Sequence, residues 1–139
     1  MKRFSLFVVI ALLAFLAGCD SPTAFKGNPM EVGYGSIQGW VVLDPYTPGT
    51  VAGTVVQLFC SPNAACNNQP AMTVVVGENG EFAFNGICCG THYLGLWKDN
   101  DGNGLISSGD FSSDRLNPEP CCVQKDAVDY HTLTATVVP

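Results

Sequence analysis

The stretch Thr73-Val74-Val75-Val76-Gly77-Glu78-Asn79-Gly80-Glu81-Phe82-Ala83-Phe84-Asn85 decides the fold class. A β-branched run enters it and a Phe-x-Phe alternation leaves it, while the Asn-Gly between them favours the positive φ angles of a tight hairpin. Working outward, similar short runs alternate with Gly, Pro and Asn clusters at Ile37 to Leu43, Thr54 to Cys60, Met72 to Val76, Glu81 to Asn85, Thr91 to Lys98 and Tyr130 to Val138. The pattern predicts an all-β chain, a single antiparallel β-sandwich of six to seven short strands. Side-chain alternation puts Val56, Leu58 and Cys60 on one face, joins Phe82 to Phe84, and joins Tyr93 to Trp97 across Gly95; those faces are expected to form the core. Trp40 and Trp97 sit in apolar strands and read first as core residues, whereas an exposed indole would offer a stacking platform for a sugar ring.

The 139 residues allow one modest domain plus accessory segments. Charged residues make up 13%, against roughly 25% in ordinary soluble domains. The formal charge of -6, with only six Lys and Arg, leaves no electrostatic footprint for a phosphate backbone, so nucleic acid is excluded as a partner class.

Two of those six cations, Lys2 and Arg3, precede Phe4 to Ala17, a stretch of 14 residues that is apolar except at Ser5. A bilayer span needs about 20 such residues, so the segment reads as an export signal. Its end, Leu16-Ala17-Gly18-Cys19, resembles the lipobox of bacterial lipoproteins. The resemblance implies removal of residues 1–18, diacylglycerol and further acyl chains such as palmitate on Cys19, and a chain held on a membrane of the cell envelope facing the periplasm or exterior. Asp20 to Gly35 carries two prolines and three glycines without periodicity, which suits a tether. The expected organisation is therefore 1–18 signal, 19–35 lipidated terminus and tether, and 36–139 folded domain.

Gly39 to Trp97 resembles the carboxypeptidase regulatory-like, or transthyretin-like, β-sandwich. The matching elements are Ile37-Gln38-Gly39-Trp40-Val41-Val42, Gly53-Thr54-Val55-Val56-Gln57-Leu58, and Thr73 through Gly80-Glu81-Phe82-Ala83-Phe84-Asn85-Gly86-Ile87, then Gly90-Thr91-His92-Tyr93-Leu94. The resemblance implies a scaffold used in non-catalytic modules for adhesion, sugar contact or support of a neighbour. Cys88 and Cys89 depart from the small or polar residues usual before that last glycine. The first strand also lacks the lysine that related adhesin domains use for an isopeptide crosslink.

With Cys19 assigned to lipid, six cysteines remain: Cys60, Cys66, Cys88, Cys89, Cys121 and Cys122. An even number in an exported domain predicts three disulfides. Cys60 and Cys66 could close a hairpin, leaving the 88/89 pair to meet 121/122, with the choice within the vicinal pairs open. A zinc site built on these cysteines is disfavoured, because neighbours in extended chain point to opposite faces and chelate one ion poorly.

Asp99-Asn100-Asp101-Gly102-Asn103-Gly104-Leu105-Ile106-Ser107-Ser108-Gly109-Asp110 fits a twelve-residue calcium loop. Asp99, Asp101, Asn103 and Asp110 would supply side-chain oxygens, Leu105 its carbonyl, and Ser107 a direct or water-mediated oxygen, while Gly104 permits the bend. Position 12 is Asp and neither flank reads as a helix, so the loop resembles those of dockerins and adhesin B-repeats more than an EF-hand. Calcium is expected here as a structural ion, with Asp114 close enough to assist.

The chain carries no G-x-S-x-G, H-E-x-x-H or phosphate-loop motif, and His92 and His131 read as surface histidines. The sequence therefore describes a lipid-anchored, non-catalytic binding or structural module with a protein or glycan partner in the envelope. Two alternatives are a carbohydrate-binding module using Trp40, Trp97 or Tyr46, and an envelope-presented enzyme or protease inhibitor using the Cys60 to Cys66 segment.

Overall fold

The structure is a computed structural model that describes residues 33–113 and 117–139. The export signal, Cys19, most of the tether and Asp114 lie outside the described residues. Among the described residues, eight strands and one helical turn run in the order β1 (Tyr34–Leu43), β2 (Val55–Phe59), α1 (Pro62–Cys66), β3 (Met72–Val75), β4 (Glu81–Cys88), β5 (Gly90–Lys98), β6 (Phe111–Ser112), β7 (Glu119–Val123) and β8 (Val128–Val137). The strand order is β3-β2-β5-β6-β8-β1-β4, with β7 on β5. This gives two facing layers, β4-β1-β8 and β3-β2-β5-β7, joined at one edge by the short β6.

Alternation places one face of every long strand inside. Ile37 and Val41 of β1, Phe82, Phe84 and Ile87 around β4, and Leu133 and Ala135 of β8 meet Val56, Leu58, Leu94, Leu96, Cys121 and Val123 of the other layer. Among the described strands the pairing is antiparallel except at one place, where β1 and β8 lie parallel over Ser36↔Val128 to Leu43↔Ala135. Gly39 is required there: a Cβ would fall 1.9 Å from the carbonyl oxygen of His131 and 2.9 Å from the ring of Phe82.

The turn at Glu78-Asn79-Gly80 forms, with the Gly80 N–H bonded to the Gly77 carbonyl, but it does not close a hairpin. β3 pairs with β2 and β4 with β1, so the turn carries the chain from one layer to the other. A two-residue hairpin of the Asn-Gly type needs positive φ at both positions, whereas here Gly80 alone has it, at 77°. β1 starts at Tyr34, two residues before the expected boundary.

β5 also turns the other way round from the expected alternation. His92, Leu94 and Leu96 face the core, while Tyr93 and Trp97 are only half-buried on the opposite face. The reason is a cover on that outer face: Phe59 is buried, its ring lies 3.1 Å from where a Cβ on Gly95 would be, and α1 lies over it with Ala65 buried. Ser61 caps α1 by accepting from the Ala64 N–H at 3.1 Å, and Pro62 opens the helix. The Cys60 to Cys66 segment is thus a packed helical turn.

Cys88, Cys89, Cys121 and Cys122 are thiols, and the expected junction between the two vicinal pairs is not formed. Register explains it. β7 lies on β5 with Cys121 opposite His92, Cys122 opposite Thr91 and Val123 opposite Gly90, so Cys88 and Cys89 fall beyond the matched stretch. Cys89 instead donates its N–H to the Gly33 carbonyl at 2.9 Å.

Leu94 is fully buried and Tyr46 is 94% exposed. Leu94→Ala is expected to lower unfolding free energy in urea by about 2–5 kcal/mol, and Tyr46→Ala to change it by less than about 0.5 kcal/mol. Equal effects would contradict the assigned core.

Candidate functional site

The acidic loop leaves β5 after Lys98 and returns at β6, as the strand-flanked reading requires. Its chain is wound around its own carboxylates. The Gly102 and Gly104 N–H groups donate to Asp99 Oδ1 and Oδ2 at 2.6 and 2.7 Å, and the Asn103 N–H donates to Asp101 Oδ1 at 3.0 Å. Asp110 is completely buried and accepts from the Asn100 N–H at 2.8 Å and from the Ser107 N–H and Oγ at 2.8 and 3.1 Å. Gly104 takes φ of 75°, which supplies the bend.

One carboxylate oxygen from each of Asp99, Asp101 and Asp110 lies within 4.8 Å of the other two. Asn103 and Ser107 join them: Asn103 Nδ2 donates to Asp101 Oδ2 at 2.7 Å and Ser107 Oγ to the same atom at 3.2 Å. Leu105 donates its N–H to Asn103 Oδ1 at 2.6 Å and keeps its side chain in solvent. Backbone donors favour the ionised form of two of these acids. The Gly104 N–H above all keeps Asp99 below the usual carboxylate range, and the Asn100 N–H, followed by Ser107, does the same for Asp110. Three aspartates with further oxygens at hand, and no soft donor among them, match the needs of a hard divalent cation.

The aromatic candidates separate. Trp40 is not a core residue: it is 45% exposed on the outer face of β1. Tyr130, 62% exposed, lies on the adjacent β8, one pleat away, because it pairs with Gln38 and Thr132 pairs with Trp40. Trp97 stays half-buried on the other layer.

A second cluster of side chains was not foreseen. His92, expected at the surface, is 95% buried, with Nε2 2.8 Å from the Cys88 carbonyl oxygen and a buried Nδ1 that has no hydrogen-bond partner. Cys121 lies opposite it on the same inward face. From β8, Asp129 and His131 enter the same region, with His131 Nε2 3.0 Å from Asp129 Oδ2 and His131 Nδ1 3.7 Å from Glu119 Oε1. The Cys122 N–H donates to Asp129 Oδ2 at 3.0 Å. Burial, then the Asp129 carboxylate, push the Cys121 thiol up to about 12. Burial also works upward on Asp129, but the His131 ring and the Cys122 N–H outweigh it and hold this carboxyl below its ordinary value. The residues are drawn from three strands, and one of them, β7, carries Pro120 and shows no alternation that marks it as a strand. The legible signal was Asp129-Tyr130-His131, since residues two apart on a strand share a face.

No family model matches the chain, and no curated protein does. Among solved structures it is similar to part of the TIE protein of Bacillus anthracis, at 13% identity and a TM-score of 0.50, covering 76% of this chain and 17% of that one. It also aligns with a protein of Pseudomonas aeruginosa described as a candidate carbohydrate-binding protein, at 18% identity and a TM-score of 0.48, covering 74% and 89%. A third likeness is to the minor pilin of Streptococcus agalactiae, at 16% identity and a TM-score of 0.46, covering 78% and 46%. At 13% identity the likeness to the TIE protein is one of fold alone.

Proposed function

We propose that the chain is a lipid-anchored, non-catalytic module of a bacterial cell envelope whose loop 99–110 is ordered by calcium. The observation that carries the calcium reading is the convergence of Asp99, Asp101 and Asp110 within 4.8 Å, one of them fully buried. Three negative charges this close repel one another, and a divalent cation would offset that repulsion more completely than N–H groups do. Asp99, Asp101, Asn103, Ser107 and Asp110, with the Leu105 carbonyl, would hold it, and its role would be to lock the β5–β6 connection. The lipobox-like Leu16-Ala17-Gly18-Cys19 supports the anchor through N-terminal acyl chains. The absence of hydrolase motifs from the sequence, together with the packing of the Cys60 to Cys66 segment as helix, supports a binding or structural role over an enzyme or protease inhibitor.

A glycan is the partner that a second observation favours. Trp40 and Tyr130 expose their rings on one outer sheet face with Gln38 and Thr132 between them, an arrangement suited to stacking on a sugar and hydrogen-bonding its hydroxyls.

Chelation of calcium is expected to lower the melting temperature of the wild-type chain and to leave unchanged that of a variant carrying Asp99→Ala and Asp101→Ala; identical melting with millimolar calcium and with chelator would remove the ion from the proposal. The acids also set a pH dependence. Because Asp99 and Asp110 have folded-state values below their unfolded ones, their contribution is complete above the ordinary aspartate range, about pH 4, and disappears as the pH falls through the depressed values. Melting followed from neutral to strongly acidic pH should show this loss, and Asp110→Asn should flatten it. On glycan arrays, Trp40→Ala and Tyr130→Ala should each abolish binding while melting stays as in wild type; binding that survives both substitutions rules the platform out.

A further inference from the structure

We propose that His92, Cys121, Asp129 and His131 form a second metal site, one for a borderline-soft divalent transition metal of the zinc class, independent of the calcium loop. The donor set is sulfur, two imidazole nitrogens and one carboxylate, which suits such an ion and suits calcium poorly. Cys121 Sγ, an Asp129 oxygen and a His131 ring nitrogen already lie within 4.8 Å of one another, and His92, outside that set, would have to bring its Nδ1 in to complete the four. The 3.0 Å between His131 Nε2 and Asp129 Oδ2 is close to the spacing of two ligands on one tetrahedral ion, whose bonds to N and O are about 2.0–2.2 Å.

Two further observations point to a ligand. His92 has a buried Nδ1 without a partner, on a ring whose Nε2 is already engaged by the Cys88 carbonyl, and the residue stands opposite Cys121 on the inward face. A metal would use that nitrogen, which packing alone leaves unsatisfied. Glu119, 3.7 Å from His131 Nδ1, is placed as the carboxylate that accepts from a ligating histidine and fixes Nε2 as its metal-binding atom. An Asp–His ion pair beside a core cysteine would account for Asp129 and His131, but it gives His92 Nδ1 no partner and Glu119 no purpose.

The site also has an entry path. The side chains of His131, Asp129 and Glu119 are 12%, 31% and 55% exposed, while Cys121 and His92 form the closed floor. On binding, the Cys121 thiol gives up its proton to solvent and its sulfur bonds the metal as thiolate, while His131 ligates as the neutral ring through Nε2, with its N–H on Nδ1 toward Glu119.

The test uses the full chain, purified with reductant and stripped of metal, and titrated with Co²⁺ and then Zn²⁺. The expected result is one Co²⁺ per chain with thiolate-to-cobalt charge-transfer absorption, bleached by Zn²⁺ and insensitive to millimolar Ca²⁺. Cys121→Ser should abolish the band. His131→Gln and His92→Gln should each weaken binding about tenfold or more, in the range that ligand-sphere substitutions produce, with far-UV circular dichroism and metal-free melting confirming that each variant folds. The Asp99→Ala, Asp101→Ala variant should retain the band in full, which separates this site from the loop. Absence of a thiolate band in the wild type, its persistence in Cys121→Ser, or unchanged affinity in His92→Gln would overturn the four-ligand site.

Discussion

The parallel pairing of β1 with β8 is the constraint on which the sandwich depends. It joins the first and last described strands over eight matched positions, so the two ends of the domain are bound to each other before any loop contributes. Its closeness rests on Gly39, because a side chain there would have to occupy the space of the His131 carbonyl and the Phe82 ring. From this pairing follows the direction of β8. Leu133 and Ala135 enter the core, and two steps earlier along the same face Asp129 and His131 reach across to β7 of the other layer. The strand that closes the fold therefore also builds the second cluster.

Much of this was legible in the sequence because burial of a sheet face leaves a period of two. Val56 with Leu58, Phe82 with Phe84, and the run at Tyr130 to Val138 needed no more than that. Where the reading failed, both faces of a strand were covered or pairing lay far away in the chain. β5 is buried on one side by the core and on the other by Phe59 and α1, so its apolar residues no longer mark a single face and His92 was assigned to solvent. β7 escaped notice because Pro120 cannot donate to a ladder; as an edge strand that pairs only with β5 among the described strands, it does not need that donor on its open side. The Asn79-Gly80 turn was found but not its partners, since a turn between two layers and a turn within one share the same local chemistry.

The acidic loop was readable for the opposite reason: its candidate oxygens are contiguous in the chain, so their convergence is set by local conformation and not by distant strand pairing. Asp99, Asp101, Asn103, Ser107 and Asp110 converge where the spacing places them. The second cluster has no such signature, since His92, Cys121 and Asp129 belong to three strands and meet only through the β5–β7 register and the contact of β8 with β7. Cysteine counting pointed at these residues for disulfides, and it is register that leaves Cys121 facing histidines in place of a second cysteine.

The two clusters occupy opposite ends of one strand. β5 begins beside His92 and Cys121 and ends at the acidic loop six residues later, roughly 20 Å at the rise of an extended chain. β8 runs the same way, from Asp129 and His131 to Val138, whose N–H bonds the Asp110 carbonyl at 2.8 Å. At the first end the donors are sulfur, imidazole and one carboxylate, and at the second they are all oxygen, so hard and borderline-soft ions would each have one preferred pole. Each pole also joins the two layers: the first links β5 and β7 to β8, and the second links the β5–β6 connection to the tail of β8. A small sandwich with a limited core gains most from crosslinks at its open ends, where side chains cannot fill the gap between sheets. The cysteine-rich sequence suggested disulfides for that task; the positions of the donors assign it, on the proposed reading, to two metal ions of different chemistry.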